Sequence, residues 1–179
     1  PTPPPPHTGL HLRGHHPSRV FDMQGWTANL ARLPIRHGTD ADPTGNSIDG
    51  AGIINSGTLS LSNCTISGNH SIYFGGSISN GGTLSLSNCT VFGNSAQNDN
   101  GGGISNIGTL SLSNCTISGN SAYYGGRGLS NEIGSGTLRA ATSTIADSVN
   151  ATFGTPLGPP PLPSPVVPGA PHPDCPLRA

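Results

Sequence analysis

The chain is 179 residues long, with a formal net charge of −1, 8% charged residues, 4% aromatic residues and no lysine. A few scattered arginines give no electrostatic footprint for nucleic acid or an anionic membrane surface. No apolar run approaches the length that crosses a bilayer, so neither a nucleic-acid partner nor a membrane-spanning segment is expected.

Residues 1–46 read as a low-complexity segment followed by a cap. Pro3 to Pro6 and the histidine-rich run through His16 should be disordered or extended. Phe21 to Leu33 has enough apolar character for a short helix or a cap. The end of a stacked-strand fold exposes unpaired edges, and Trp26, Leu30 and Leu33 are suited to cover an N-terminal mouth. The chain opens on Pro1 with no charged-then-apolar leader behind it, which suggests a piece of a longer protein or a mispredicted gene start.

Residues 47–150 are organised by one phrase, Gly-Thr-Leu-Ser-Leu-Ser-Asn-Cys-Thr. It runs from Gly57 to Thr65, from Gly82 to Thr90 and from Gly108 to Thr116, with a worn fourth copy from Gly136 to Thr144. Glycine-led segments precede the copies at Gly50, Gly75, Gly101 and Gly125, spaced by 25, 26 and 24 residues (75−50, 101−75, 125−101). A fixed period of this length marks a solenoid. Within a copy, Leu59 and Leu61 alternate with Thr58, Ser60 and Ser62, the two-residue period of a half-buried strand. Asn63 interrupts the alternation, Cys64 and Ile66 resume it, and Gly68-Asn69 supplies the next turn. Stacking puts Leu59 over Leu84, Leu110 and Leu138, and Ile66 over Val91, Ile117 and Ile145, each strand pairing in parallel with its equivalent.

The fold expected is all-β, a right-handed parallel β-helix of about four coils with irregular Pro-rich termini. A leucine-rich repeat shares the period and part of the Leu pattern. It needs a second, usually helical, apolar segment, and residues 67–78 are too rich in Gly and Ser for one. Five apolar side chains per coil are few for about 25 ordered residues, so hydrogen-bond ladders and stacked asparagines must help, and so short a stack points to a fragment of a longer solenoid. The fourth coil decays, with Ala140 for Leu, Ser143 for Cys and an insertion at Glu132 to Ser135, as a capping repeat does. Residues 151–179 are proline-rich and read as a stiff tail or linker.

The segments Gly-Gly-Ser-Ile (75–78) and Gly-Gly-Gly-Ile (101–104), with Ile66-Ser-Gly-Asn69, Val91-Phe-Gly-Asn94 and Ile117-Ser-Gly-Asn120, resemble the repeats of bacterial surface β-helix proteins. The comparison is with polymorphic outer-membrane protein repeats, built around Gly-Gly-Ala-Ile and Phe-x-x-Asn. Ile or Val stands here where that family has Phe, and no autotransporter barrel follows. The resemblance covers residues 47–150 and implies a right-handed, pectate-lyase-like coil, secreted or displayed on the bacterial cell surface or outer membrane.

Cys64, Cys89 and Cys115 share one repeat position. In-register parallel strands keep their β-carbons near the strand spacing, beyond disulfide reach, and Ser143 at the fourth position says that smallness matters more than sulfur, so a buried small-residue ladder is expected. Asn63, Asn88 and Asn114 each open an Asn-Cys-Thr glycosylation sequon. The reading preferred from sequence is a corner asparagine that turns inward and stacks, out of reach of a glycosylating enzyme. His7, His11, His15 and His16 reflect composition bias, so no metal and no cofactor are expected. Asp49, Asp99, Glu132 and Asp147 fall in four different coil settings, and glycoside hydrolysis needs two carboxylates flanking one bond, so catalysis is not expected.

The variable corners are the candidate binding residues: His70, Tyr73 and Phe74 in one loop, and Tyr123 and Tyr124 in another. Loops on a rigid scaffold are where function concentrates, and aromatics there suit glycans or host cell-surface proteins as partners; aromatics that fold back over the coil are the structural alternative. The function expected is a non-catalytic secreted or cell-surface repeat segment acting as scaffold or adhesin. A fragment of a carbohydrate-active β-helix enzyme, lyase or glycoside hydrolase, is the alternative. A remote third is ice binding through the outward Thr58, Ser60, Ser62 grid and its copies.

Overall fold

Alternating hydroxyl and aliphatic residues give each strand one wet and one dry face, and a chain that repeats such strands buries the dry faces by winding on itself. The computed structural model describes residues 11–12, 19–39, 50–132, 136–146 and 149–151, and shows that winding. Ahead of the repeats lie β1 (His11–Leu12), β2 (Phe21–Met23), β3 (Thr27–Ala31) and β4 (Pro34–Arg36). The first complete turn is β5 (Ile53–Asn55), β6 (Thr58–Ser62), β7 (Thr65–Ser67) and β8 (His70–Ser71). The second is β9 (Ile78–Asn80), β10 (Thr83–Ser87), β11 (Thr90–Phe92) and β12 (Ser95–Ala96). The third is β13 (Ile104–Asn106), β14 (Thr109–Ser113), β15 (Thr116–Ser118) and β16 (Ser121–Ala122). A partial turn follows: β17 (Leu129–Asn131), β18 (Thr137–Ala141), β19 (Thr144–Ile145), and then β20 (Val149–Ala151).

Equivalent strands stack into four sheets, in the orders β1-β2-β5-β9-β13-β17-β20, β3-β6-β10-β14-β18, β4-β7-β11-β15-β19 and β8-β12-β16. All pairings between these strands are parallel except β1 with β2. No described residue is helical. The chain is therefore an all-β parallel solenoid, and the leucine-rich-repeat alternative falls for want of its helix. The registers are those read from the repeat: Leu59, Leu84, Leu110 and Leu138 stack, as do Ile66, Val91, Ile117 and Ile145.

Three differences from the sequence reading have physical causes. Only about three turns carry all four sheets, because the decayed copy shows no fourth-sheet strand among the described residues. On the other side, Phe21 to Leu33 forms strands instead of a helix. Thr27 to Ala31 alternates with period two, and the exposed edge of β6 offers it a full ladder of backbone partners. This extra level seats Phe21 and Met23 in the core and packs Trp26, Leu30 and Leu33 against it. The last glycine signal also shifts by one. Gly126, not Gly125, shares the positive φ of Gly50, Gly75 and Gly101, and Ile104 pairs with Leu129, so that spacing is 25 residues (126−101).

Inside, the aliphatic ladders are flanked by two asparagine ladders. Asn55 donates to Asn80 at 2.7 Å, Asn80 to Asn106 at 2.6 Å and Asn106 to Asn131 at 2.6 Å. Asn69 donates to Asn94 at 3.0 Å and Asn94 to Asn120 at 2.9 Å. Each ladder amide also bonds backbone carbonyls of its own or a neighbouring coil, such as Asn80 to Thr109 O at 3.1 Å and Asn94 to Ile66 O at 3.1 Å. A buried amide has four hydrogen-bonding sites to satisfy; for Asn80 and Asn94, one identical amide below donates to its oxygen, one above accepts from its nitrogen, and backbone carbonyls take further N–H bonds. Glycine permits the close turn from the first sheet to the second. A Cβ on Gly82 would lie 2.1 Å from Gly57 O, and one on Gly108 2.1 Å from Gly82 O.

The stacking asparagines are thus not the ones in the Asn-Cys-Thr sequons. Asn63, Asn88 and Asn114 have φ of 53°, 52° and 51° and are exposed. They make the left-handed corner between second and third sheets, a conformation asparagine tolerates better than most residues; Arg32 and Thr142 hold the same corner in the outer levels, at φ 58° and 49°. The next residue turns inward. Cys64, Cys89 and Cys115 are free and buried, as a small-residue ladder requires. They also do more than fill space. The Cys64 N–H donates to Cys89 Sγ at 3.4 Å, and the Cys115 N–H to Ser143 Oγ at 3.1 Å. Each thiol points back at a carbonyl two residues earlier, 3.3 Å in all three cases, and Ser143 Oγ does so at 2.9 Å. The position needs a small side chain that both accepts and donates.

Candidate functional site

Each turn closes with a loop from the fourth sheet to the first strand of the next turn: residues 72–77, 97–103 and 123–128. A left-handed glycine (Gly75, Gly101, Gly126) sets each loop's exit, and the loops bond to one another. Asn98 N–H donates to Ile72 O at 2.8 Å, Tyr123 N–H to Asp99 O at 3.2 Å, and Gly76 N–H to Gly101 O at 2.9 Å. They form one continuous edge of the solenoid.

The predicted aromatics lie on this edge. Tyr123 and Tyr124 are 72% and 73% exposed and stand edge to face, ring centroids 4.8 Å apart at 89°. Tyr73 is 38% exposed, while Phe74 is half-buried. The alternative that these rings fold back to cover the coil therefore holds in part for Phe74 and not for Tyr123 or Tyr124. His70 lies at the start of the edge, in β8, exposed, with Nδ1 2.5 Å from Ser95 Oγ on the next coil. The 72–77 and 123–128 loops are two coil steps apart, roughly 10 Å at the usual strand spacing.

Between them runs a loop the sequence reading passed over. Gln97 and Asn98 are exposed, and Asp99 is half-buried, its Oδ1 accepting from Asn100 N–H at 2.8 Å and Asn100 Nδ2 at 3.1 Å. Its signal was the repeat itself: it joins the same two sheets as the two tyrosine loops, with one residue more than either. Two other exposed apolar side chains were also missed, Phe92 on the outer face of the third sheet and Ile107 at a corner, 45% and 47% exposed.

The carboxylates stay apart. Asp22 belongs to the added N-terminal level, where it bonds Arg19 and Gln24 at 3.2 Å each; Asp99 is in the middle loop, and Glu132 follows β17. Asp49 and Asp147 lie outside the described residues, as do His7, His15, His16, Cys175 and the proline-rich tail. Among the described residues, no three His, Cys, Asp or Glu side chains group to hold a metal, and no helix is long and apolar enough to cross a membrane. Within the cysteine ladder, hydrogen bonding to Cys115, then burial, push the Cys89 thiol well above the ordinary thiol range, and the same contact with Cys89 pulls the Cys115 thiol down to about 6. Compared with family models, curated proteins and solved structures, the chain finds no match.

Proposed function

We propose that this chain is a non-catalytic segment of a secreted or cell-surface protein, acting as a scaffold that presents the loop edge as an adhesive surface. The observation that carries this reading is the Tyr123–Tyr124 pair, nearly three-quarters exposed on a loop hydrogen-bonded into the stacked coils. Tyrosine offers large contact area at low conformational cost and has an apolar face with a polar tip. Two such rings at right angles, with Tyr73 two coils along and amide side chains between, suit the face and hydroxyls of a glycan. The repeat resemblance supports the extracellular or outer-membrane setting.

The test is binding of the whole chain to a panel of neutral and acidic polysaccharides, beside the Tyr123→Ala/Tyr124→Ala variant. Binding by the parent that drops at least tenfold in the variant supports the adhesive edge. Equal binding by both removes it. New reducing ends or unsaturated products above a boiled control would instead mark a carbohydrate-active enzyme.

A further inference from the structure

The Asn-Cys-Thr sequon has its amide and hydroxyl on one face. Asn63, Asn88 and Asn114 stand exposed at their left-handed corners, the intervening cysteines are buried, and Thr65, Thr90 and Thr116 return outward at the start of the third-sheet strands, exposed in the first and last and half-buried in the second. The sequon acceptor atom is the amide nitrogen, flanked two residues on by a hydroxyl. At Asn114 the neighbouring Thr142 hydroxyl donates to Oδ1 at 2.5 Å, holding the amide by the atom that takes no sugar. Asn88 Nδ2 has only the exposed Ser87 hydroxyl at 3.4 Å.

The same chain contains an internal contrast. Asn69-His70-Ser71 is also a sequon by sequence, but Asn69 is fully buried and its Nδ2 donates to Ile35 O at 3.1 Å and to Asn94 Oδ1 at 3.0 Å. A sugar on that nitrogen breaks the ladder; a sugar on a corner nitrogen meets solvent.

We infer that Asn63, Asn88 and Asn114 are acceptor sites for N-linked glycan, used so that adjacent corners are not both occupied on one molecule. The exclusion is steric. Asn63 N–H bonds Ser87 O at 2.9 Å and Asn88 N–H bonds Ser113 O at 2.9 Å, so the corners stack one coil step apart, about 4.8 Å, too close for two sugar rings side by side. Asn63 and Asn114 can be filled together; Asn88 excludes both. In the transfer, Nδ2 bonds to the anomeric carbon of a lipid-pyrophosphate-linked oligosaccharide as that carbon's bond to phosphate oxygen breaks. The amide loses one proton to the transferase, lipid pyrophosphate leaves, and nothing is oxidised or reduced.

The full chain, carrying Asn150→Gln to remove the remaining Asn-x-Thr site, would be secreted from a eukaryotic host behind an added leader, then measured by intact mass and glycopeptide mapping before and after enzymatic deglycosylation. Glycan at the corner asparagines, at most two per molecule and never on neighbours, supports the inference. Bare corners, glycan on Asn69 of the folded product, or a molecule filled at all three corners overturns it. Thr65→Val/Thr90→Val/Thr116→Val keeps every corner asparagine and its left-handed turn while removing the sequons. That variant should be secreted with all glycan lost, and retention of glycan on it would equally overturn the assignment.

Discussion

Removing one rung from the Asn55–Asn131 ladder should unfold the solenoid more readily than removing any exposed hydroxyl. Asn80 is fully buried. Its amide accepts from Asn55 Nδ2 at 2.7 Å and donates to Asn106 Oδ1 at 2.6 Å, Thr109 O at 3.1 Å and Gly82 O at 3.2 Å. Asn80→Ala deletes all four interactions and leaves Asn106 Oδ1 without its donor from below, whereas Asn55 Nδ2 keeps Thr83 O at 3.1 Å. At about 1 kcal/mol net per hydrogen bond, with more where a buried group is stranded, the loss is about 4 kcal/mol, a large share of a typical domain's stability. Ser85→Ala, on the outer face of β10 at the same level, should change stability by no more than about 0.5 kcal/mol. Urea unfolding followed by far-ultraviolet circular dichroism compares the two, provided each gives a single transition, since stacked repeats can unfold piecewise. An Asn80→Ala midpoint as close to the parent's as that of Ser85→Ala would refute the reasoning that side-chain ladders hold this fold.

Asn80→Asp should be pH-sensitive in a definite direction: burial among acceptors raises the introduced carboxyl's folded pKa above its unfolded value near 3.9. Stability should therefore be best below about pH 4 and fall as the pH rises toward 7, and pH-independent urea midpoints for this variant relative to the parent would refute it. Cys89→Ser should lie within about 1 kcal/mol of the parent, while Cys89→Ala strands the Cys64 N–H and should cost about 1–3 kcal/mol; equal urea midpoints would show that the position needs only smallness. Gly108→Ala should lose more than about 2 kcal/mol, because its Cβ would meet Gly82 O at 2.1 Å and the neighbour is backbone. An unchanged melting curve would contradict the close approach of the coils. Cys64, Cys89 and Cys115 should resist a thiol reagent in the native chain and react in urea, and rapid native labelling of all three would argue against the ladder.

Much of the fold was legible because repetition makes one observation four times. Leu59-x-Leu61 alone is ambiguous between strand, helix end and loop; its recurrence fixed period, register and parallel pairing together. A helix over Phe21 to Leu33 is not formed: the segment lies outside the period, so its alternation at Thr27 to Ala31 competed with ordinary apolar content, and only the free edge of β6 decides for strands, while Trp26, Leu30 and Leu33 do pack against the core. The asparagines show a different limit. Asn63, Asn69 and Asn80 recur equally well, and periodicity cannot say which amides face inward. That depends on where backbone twist places each corner: the left-handed φ of Asn63 sends its side chain out, while Asn69 and Asn80 keep theirs over the core. At the edge, the sequence located Tyr73, Tyr123 and Tyr124 but could not weigh their exposure. Nor could it show that the 97–103 loop stands between them, which needs the stack itself.

The inward ladders and the outer edge obey opposite demands, and this explains why variation concentrates where it does. An inward position must match the residue above and below, since each amide, thiol and glycine is satisfied or accommodated by its own kind one coil away. A single exception costs two neighbours their partners, so changes there are self-limiting except in outer levels such as that of Ala140 and Ser143. Loop positions 72–74, 97–99 and 123–124 carry no such obligation: only their backbones bond one another, and those bonds do not depend on the side chain. Ile-Tyr-Phe, Gln-Asn-Asp and Tyr-Tyr can therefore sit in corresponding loops of one scaffold, the middle loop one residue longer, without altering the coils beneath. A fold with that division can change what its edge presents while leaving its stability nearly untouched, and Tyr123→Ala/Tyr124→Ala should accordingly melt within a degree or two of the parent, about 0.5 kcal/mol, even where it abolishes adhesion. A large drop in melting temperature would mean that the rings belong to the core's support and not to the surface.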